Sequence, residues 1–135
     1  MNPKYAQLTG LLIDDEAYFR RFVGGVLKQE GIGAVVEARD GREAIELFSV
    51  RRPDFVILDI NMPHMDGLEV LKTMRPLAPG LPIIMLTSVA DEMVVEECVG
   101  QGATFFIRKD VPANELSAEL REVLAESLDQ PESSP

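Results

Sequence analysis

Cysteine, histidine and positive charge are scarce in this chain, and each scarcity removes a class of function. A single cysteine, Cys98, rules out an internal disulfide framework and fits a reducing compartment. A single histidine, His64, leaves no second one for a metal-binding pair, and it reads as a loop residue without a catalytic role. No apolar run approaches the roughly 20 residues of a membrane span. The opening MNPKYAQLTG has no apolar stretch of the signal-peptide kind. Thirteen Lys and Arg against 23 Asp and Glu give a net charge of −10. Phosphate backbones demand the opposite sign. Neither nucleic acid nor a membrane is an expected partner, and a cytoplasmic location is expected.

What the chain does have is 135 residues, 46% hydrophobic and 27% charged, enough for one domain with a sizeable core. Strand-like and helix-like signals alternate along it. Leu11-Leu12-Ile13, Ala34-Val35-Val36, Phe55–Leu58, Ile83–Leu86 and Phe105–Arg108 are short apolar runs with β-branched and aromatic residues. Between them lie helical stripes. Phe19, Phe22, Val23 and Val26 share one face, closing near Gly31. Ala44, Ile45, Leu47 and Phe48 follow the capping spacing Asp40-x-x-Glu43, and Leu71 and Met74 follow Asp66-x-x-Glu69. Met93, Val94, Val95, Cys98 and Val99 make a fourth helix, in which Cys98 reads as a small buried hydrophobe and Met93–Val95, wider than one buried stripe requires, as core, with a partner surface shared with Phe106 as the alternative. Pro112 suits the first position of a fifth, striped by Leu116, Leu120, Val123 and Leu124. Gly24-Gly25 inside the first helix costs roughly 1 kcal/mol per glycine against alanine; close packing against the sheet is one candidate reason.

Five alternating strands and helices imply a doubly wound parallel α/β sheet in three layers, with flavodoxin-like strand order 2-1-3-4-5. The switch point of that order lies between the first and third strands, at their carboxyl ends. There the first run ends in Asp14-Asp15 and the third in Asp59; the fourth ends in Thr87 and the fifth leads to Lys109. Three carboxylates, a hydroxyl and an ammonium would converge on one crevice. Two like charges about 4 Å apart repel by roughly 4 kcal/mol at an effective dielectric near 20. Magnesium relieves such crowding, binding one or two carboxylates and keeping waters and phosphate oxygens. Asp59, alone at the middle strand's end, is best placed as the nucleophile that forms an acyl phosphate. Asp14 and Asp15 would hold the metal, Lys109 would neutralise phosphoryl oxygens, and Thr87 would donate a hydrogen bond to one. Singly, each residue has a bland reading: a helix cap for Asp14-Asp15, a local cap for Thr87, a solvated surface lysine for Lys109. Together they do not.

The combination resembles the receiver domain of two-component response regulators, over about Leu8 to Leu128. The resemblance rests on LLIDDE, VILDINMPHMDG, IIMLTS and GATFFIRK, in the family's order and spacing. It implies that Asp59 is the phosphoacceptor and that Asp14 and Asp15 are the acidic pair. Asp59, Asp15 and the backbone carbonyl of Asn61 would bind Mg2+, and Thr87 and Lys109 would contact the phosphate. Ser88 fits the small residue expected after the threonine, and Phe106 occupies the aromatic switch position. A sensor histidine kinase or phosphotransfer protein would supply the phosphoryl group. A downstream effector or a second receiver would dock on the face of the fourth helix, fifth strand and fifth helix. The chain would then be a signalling phosphoacceptor that promotes its own phosphorylation and dephosphorylation rather than an enzyme. Its expected parts are an N-terminal arm (1–7), the receiver domain (8–128) and a polar tail or linker stub (129–135).

Two departures stand out. Asp110 follows Lys109 where the family usually has a cis-proline, so a trans bond is expected, with Asp110 drawing Lys109 from the phosphate. Phe106 lacks tyrosine's hydroxyl, leaving only apolar contacts there. Met62 and Met65 are expected to pack under the Asn61–Gly67 loop. The competing enzyme reading is a haloacid-dehalogenase-type magnesium phosphatase, which needs a second acid two residues after the nucleophile; that position holds Asn61. A flavin domain would need a phosphate loop where this chain has Asp14-Asp15-Glu16, and carboxylates there repel a flavin phosphate.

Overall fold

The computed structural model describes residues 3–88 and 92–128; the polar tail at 129–135 lies outside them. Five strands are present, β1 (Thr9–Ile13), β2 (Ala34–Ala38), β3 (Phe55–Asp59), β4 (Ile83–Thr87) and β5 (Phe105–Arg108). They form one parallel sheet in the order β2-β1-β3-β4-β5. Between and after them run α1 (Ala17–Gln29), α2 (Gly41–Arg51), α3 (Gly67–Met74), α4 (Glu92–Gly100) and α5 (Ala113–Leu128). The expected topology is the one found.

Period-two alternation sorts the strand side chains into two cores. Leu11, Ile13, Val56, Leu58, Ile83 and Met85 face the α2–α4 layer with Ala44, Val70, Leu71, Met74 and Cys98. Leu12, Phe55, Ile57, Ile84, Leu86 and Ile107 face α1 and α5 with Val23, Val26, Leu27, Leu116, Leu120 and Leu124. Every residue of β3 and β4 is buried, which is why these strands read as unbroken apolar runs. A 3-10 turn over Pro3–Gln7 adds Tyr5 to the second core, and the Tyr5 carbonyl accepts from Leu8 and Gly33 N–H groups at 3.0 Å.

Both capping signals are realised. Asp40 accepts from the Glu43 N–H at 2.8 Å, and Asp66 from the Glu69 N–H at 3.0 Å. Pro112 sits one place before α5, its carbonyl accepting from the Leu116 N–H at 2.9 Å. Below the sheet, Arg75 binds the turns together: its guanidinium donates to the carbonyls of Ala78, Pro79, Leu81 and Gly102. The fork satisfies the backbone at the amino ends of β4 and β5, opposite the crevice.

Three expectations need correction. Gly24 and Gly25 are not demanded by close packing: a Cβ on Gly24 would meet only Leu12 at 3.9 Å, and one on Gly25 would meet nothing. The Met93–Val95 run is not all core; Val94 packs on the first cluster, but Met93 is 79% exposed, as is more than half of Val99. The third correction concerns Asp110, whose carboxylate is held by Arg108, at 2.8 Å from Nε, rather than by Lys109. The peptide bonds of the described residues are trans, including the one to Asp110. Met62 is buried and Met65 packs beside it, as expected.

The glycine that matters is Gly67. A Cβ there would lie 2.3 Å from the carbonyl oxygen of Asp59, where backbone cannot yield. Alanine at the two positions should therefore act oppositely. Gly25→Ala should stabilise by about 0.5–1 kcal/mol through helix propensity, and Gly67→Ala should destabilise by about 1–3 kcal/mol through overpacking. Denaturant midpoints measure both; equal effects would refute the packing argument.

Candidate functional site

The crevice forms because parallel strands end on one edge. Register sets the depth: Ile13 lies beside Leu58, Asp59 beside Leu86, and Thr87 beside Arg108. The residues just past or at these ends, Asp14, Asp59, Thr87 and Lys109, are the buried polar and charged residues of the described chain. Backbone bonds fix the rim. Asp14 N–H donates to Ala38 O at 3.1 Å, Ile60 N–H to Leu86 O at 2.9 Å, and Lys109 N–H to Thr87 O at 2.8 Å.

Lys109 is far from a solvated surface lysine. Its side chain is 4% exposed, and Nζ donates to Asp14 Oδ2 and to Glu16 Oε1, both at 2.9 Å. Asp59 Oδ2 lies at 3.5 Å, an ion pair just longer than a strong hydrogen bond. The ammonium also stands 4.1 Å from the centre of the Phe19 ring, whose π face attracts a cation. Burial alone would depress the Lys109 pKa, but the bonds from Glu16 and Asp14 and the charge of Asp59 outweigh it and hold the pKa above its usual value.

Asp59 has the opposite fate. Loss of hydration, then repulsion from Asp14, raise its pKa from 3.8 to about 7, against the opposing pull of Lys109 and the Asn61 N–H. That N–H donates to Asp59 Oδ1 at 3.2 Å, while the Asn61 side chain donates to Ser88 Oγ at 3.2 Å. Asp14 is doubly used. One oxygen takes Lys109, and the other accepts from the Glu16 N–H at 2.9 Å, closing the turn into α1. Thr87 is buried at the end of β4. Phe106, beside Met85 in register, is half-buried against the α2–α4 core. His64 is exposed in the loop at φ 69, a left-handed conformation.

Asp14, Asp15, Glu16 and Asp59 each offer a carboxylate oxygen, and these oxygens all lie within 4.8 Å of one another. A cluster of hard oxygen donors with no nitrogen or sulfur suits a hard divalent cation rather than zinc or copper. Two of the four, Asp15 and Glu16, are open to solvent, leaving an approach path. Glu16 is the residue the sequence reading passed over. It stands third in an acidic run, and that run was the available signal; its contact with Lys109, 93 residues away, was not.

Residues 11–121 match the family model described as the response regulator receiver domain. The chemotaxis protein CheY of Bacillus subtilis is 32% identical over 114 residues, covering 84% of this chain and 95% of that protein. A protein-glutamate methylesterase/protein-glutamine glutaminase of Treponema pallidum is 35% identical over 122 residues; the match covers 88% of this chain but only 30% of that longer protein. Among solved structures, Vibrio cholerae CheY4 superposes with a TM-score of 0.77 at 34% identity, covering 87% of this chain and 98% of that one. With the strand order, the gathered acids and the buried lysine already in place, the chain belongs to the response regulator receiver domain family.

Proposed function

We propose that this receiver domain is a phosphoacceptor whose reactive group is Asp59, with Mg2+ as its cofactor. The observation that carries the reading is the buried ammonium of Lys109 standing among Asp14, Glu16 and Asp59. An Asp59 oxygen would attack phosphorus, and the bond from phosphorus to the donor's imidazole nitrogen would break, leaving its electron pair on that nitrogen. Lys109 would meet the negative oxygens of the transferred group, and Thr87 would donate its hydroxyl to one of them. Asp14, Asp15, Asp59 and the Asn61 carbonyl would hold Mg2+, which supplies charge neutralisation between carboxylate and phosphoryl oxygens. The donor would be a sensor histidine kinase or phosphotransfer protein.

The switch would be a two-state element biased by local charge. Thr87 drawn towards the phosphoryl group would vacate space that Phe106 fills. The face of α4, β5 and α5 would then receive an effector or a second receiver. The phosphatase reading finds no support, since Asn61 stands where its general acid is required and the family match points elsewhere. Methylesterase activity of the longer relative is not carried over, as the match covers 30% of that protein.

Incubation with magnesium and acetyl phosphate should add the mass of one phosphoryl group to the protein, and Asp59→Asn should abolish the gain. Persistence of the adduct in that variant would move the acceptor elsewhere.

The same variant should report on the electrostatics. A carboxyl with a folded pKa of about 7 against 3.8 unfolded binds a proton in the native state that the unfolded state has released. Stability therefore falls as pH rises from about 4 to 7, and the penalty is fully present above 7. Without metal, Asp59→Asn should be more stable than the parent by on the order of 1–3 kcal/mol at pH 8. The gap should narrow as pH falls through 7 towards 4. Thermal melts in chelator across that range would decide; a less stable variant at pH 8 would contradict the repulsion.

A further inference from the structure

The acceptor reading gives Lys109 one task, yet its ammonium is already engaged. It binds Asp14, which is wholly buried and also closes the turn into α1, and it faces the Phe19 ring. Its third contact is Glu16, whose side chain is 58% exposed. Asp59 is left at 3.5 Å. Asp14 cannot leave without breaking its bond to the Glu16 N–H, and Phe19 is fixed by packing on the second core. Glu16 is the partner held by least. It stands at the N-cap position of α1 with no side-chain cap bond, and its carboxylate pairs with Lys109 alone among the described cations.

We propose that Glu16 is a displaceable latch on Lys109, a positioning residue that the incoming phosphoryl oxygen must replace. This inference rests on Asp59 being the phosphoacceptor. A phosphoryl oxygen and the Glu16 carboxylate are both anions seeking the same buried donor, and an ammonium has three N–H groups. Asp14 and Glu16 engage two of them at 2.9 Å, and the carboxylate of Asp59 itself lies nearest the third at 3.5 Å. Handing the Glu16 share to phosphate costs an ion pair that is exposed on one side only, which makes the exchange cheap enough to be reversible. The latch therefore weakens anionic phosphodonors at the resting site.

The test compares Glu16→Gln and Glu16→Asp with the parent, at saturating magnesium, using acetyl phosphate. Glutamine removes the charge; aspartate keeps it but shortens the reach to Lys109. In both variants the half-saturating acetyl phosphate concentration should fall roughly threefold to fivefold, with the saturated rate changing by a smaller factor. Beryllofluoride, a phosphoryl mimic, should bind more tightly by a similar factor. If only Glu16→Gln shows the fall, bulk charge is responsible and the latch is refuted. A half-saturation value unchanged or raised in both variants refutes it as well. Failure of the parent itself to take up phosphate would instead remove the acceptor reading, so the two failures are told apart.

Discussion

A single ammonium, that of Lys109, makes the carboxyl edge of this sheet possible. Asp14 and Asp59 are both withdrawn from water, and an uncompensated carboxylate in such a place costs several kcal/mol by the usual order of magnitude. Lys109 binds Asp14 at 2.9 Å and stands 3.5 Å from Asp59, offsetting part of the repulsion between them. The offset is incomplete: burial, and then the charge of Asp14, still push the Asp59 pKa up to about 7. The strand order makes the meeting possible. It brings the ends of β1, β3 and β5 to one rim, where Lys109 reaches Asp14 and Asp59.

The scaffold holds its own charges differently at its two edges. At the amino ends of β4 and β5, Arg75 spends its guanidinium on backbone carbonyls, and the cation is satisfied by fixed dipoles of the fold. At the carboxyl ends the side chains face one another, and the acids outnumber the lysine. The first arrangement fixes structure. The second leaves negative charge over for something else to neutralise, which is the mark of a site rather than a brace.

The sheet was legible because β3 and β4, buried on both faces, are apolar throughout, and because capping residues at Asp40 and Asp66 punctuate the helices chemically. The positions of Asp14, Asp59, Thr87 and Lys109 followed from strand ends alone. Partners of side chains did not. Nothing in the order of residues says that Asp110 turns to Arg108, two positions back, since the lysine one position back is a cation just as near in the chain. Nor does it say that Glu16 reaches Lys109, a contact that depends on how α1 leaves β1. Gly24-Gly25 misled for a related reason: a glycine pair in a helix signals lost propensity but not whether anything fills the missing volume. In α4, apolar residues on adjacent positions cannot all face one core, and Met93 and Val99 are the ones left outside.

The unbalanced edge also bears on why such a site is built into a stable domain. The burial that raises the Asp59 pKa, with repulsion from Asp14 added to it, is free energy stored in the folded state. Any event that adds positive charge beside the acids releases part of it, and a ligand that binds only the folded form stabilises that form in proportion. A divalent cation placed among Asp14, Asp15 and Asp59 would therefore bind more strongly than the same oxygens could manage if each were satisfied in its absence. The instability of the resting crevice and its affinity for charge-balancing partners have one source. A more stable crevice, with Asp59 fully paired to Lys109, would have less to gain from the metal and less of the lysine to offer an anion.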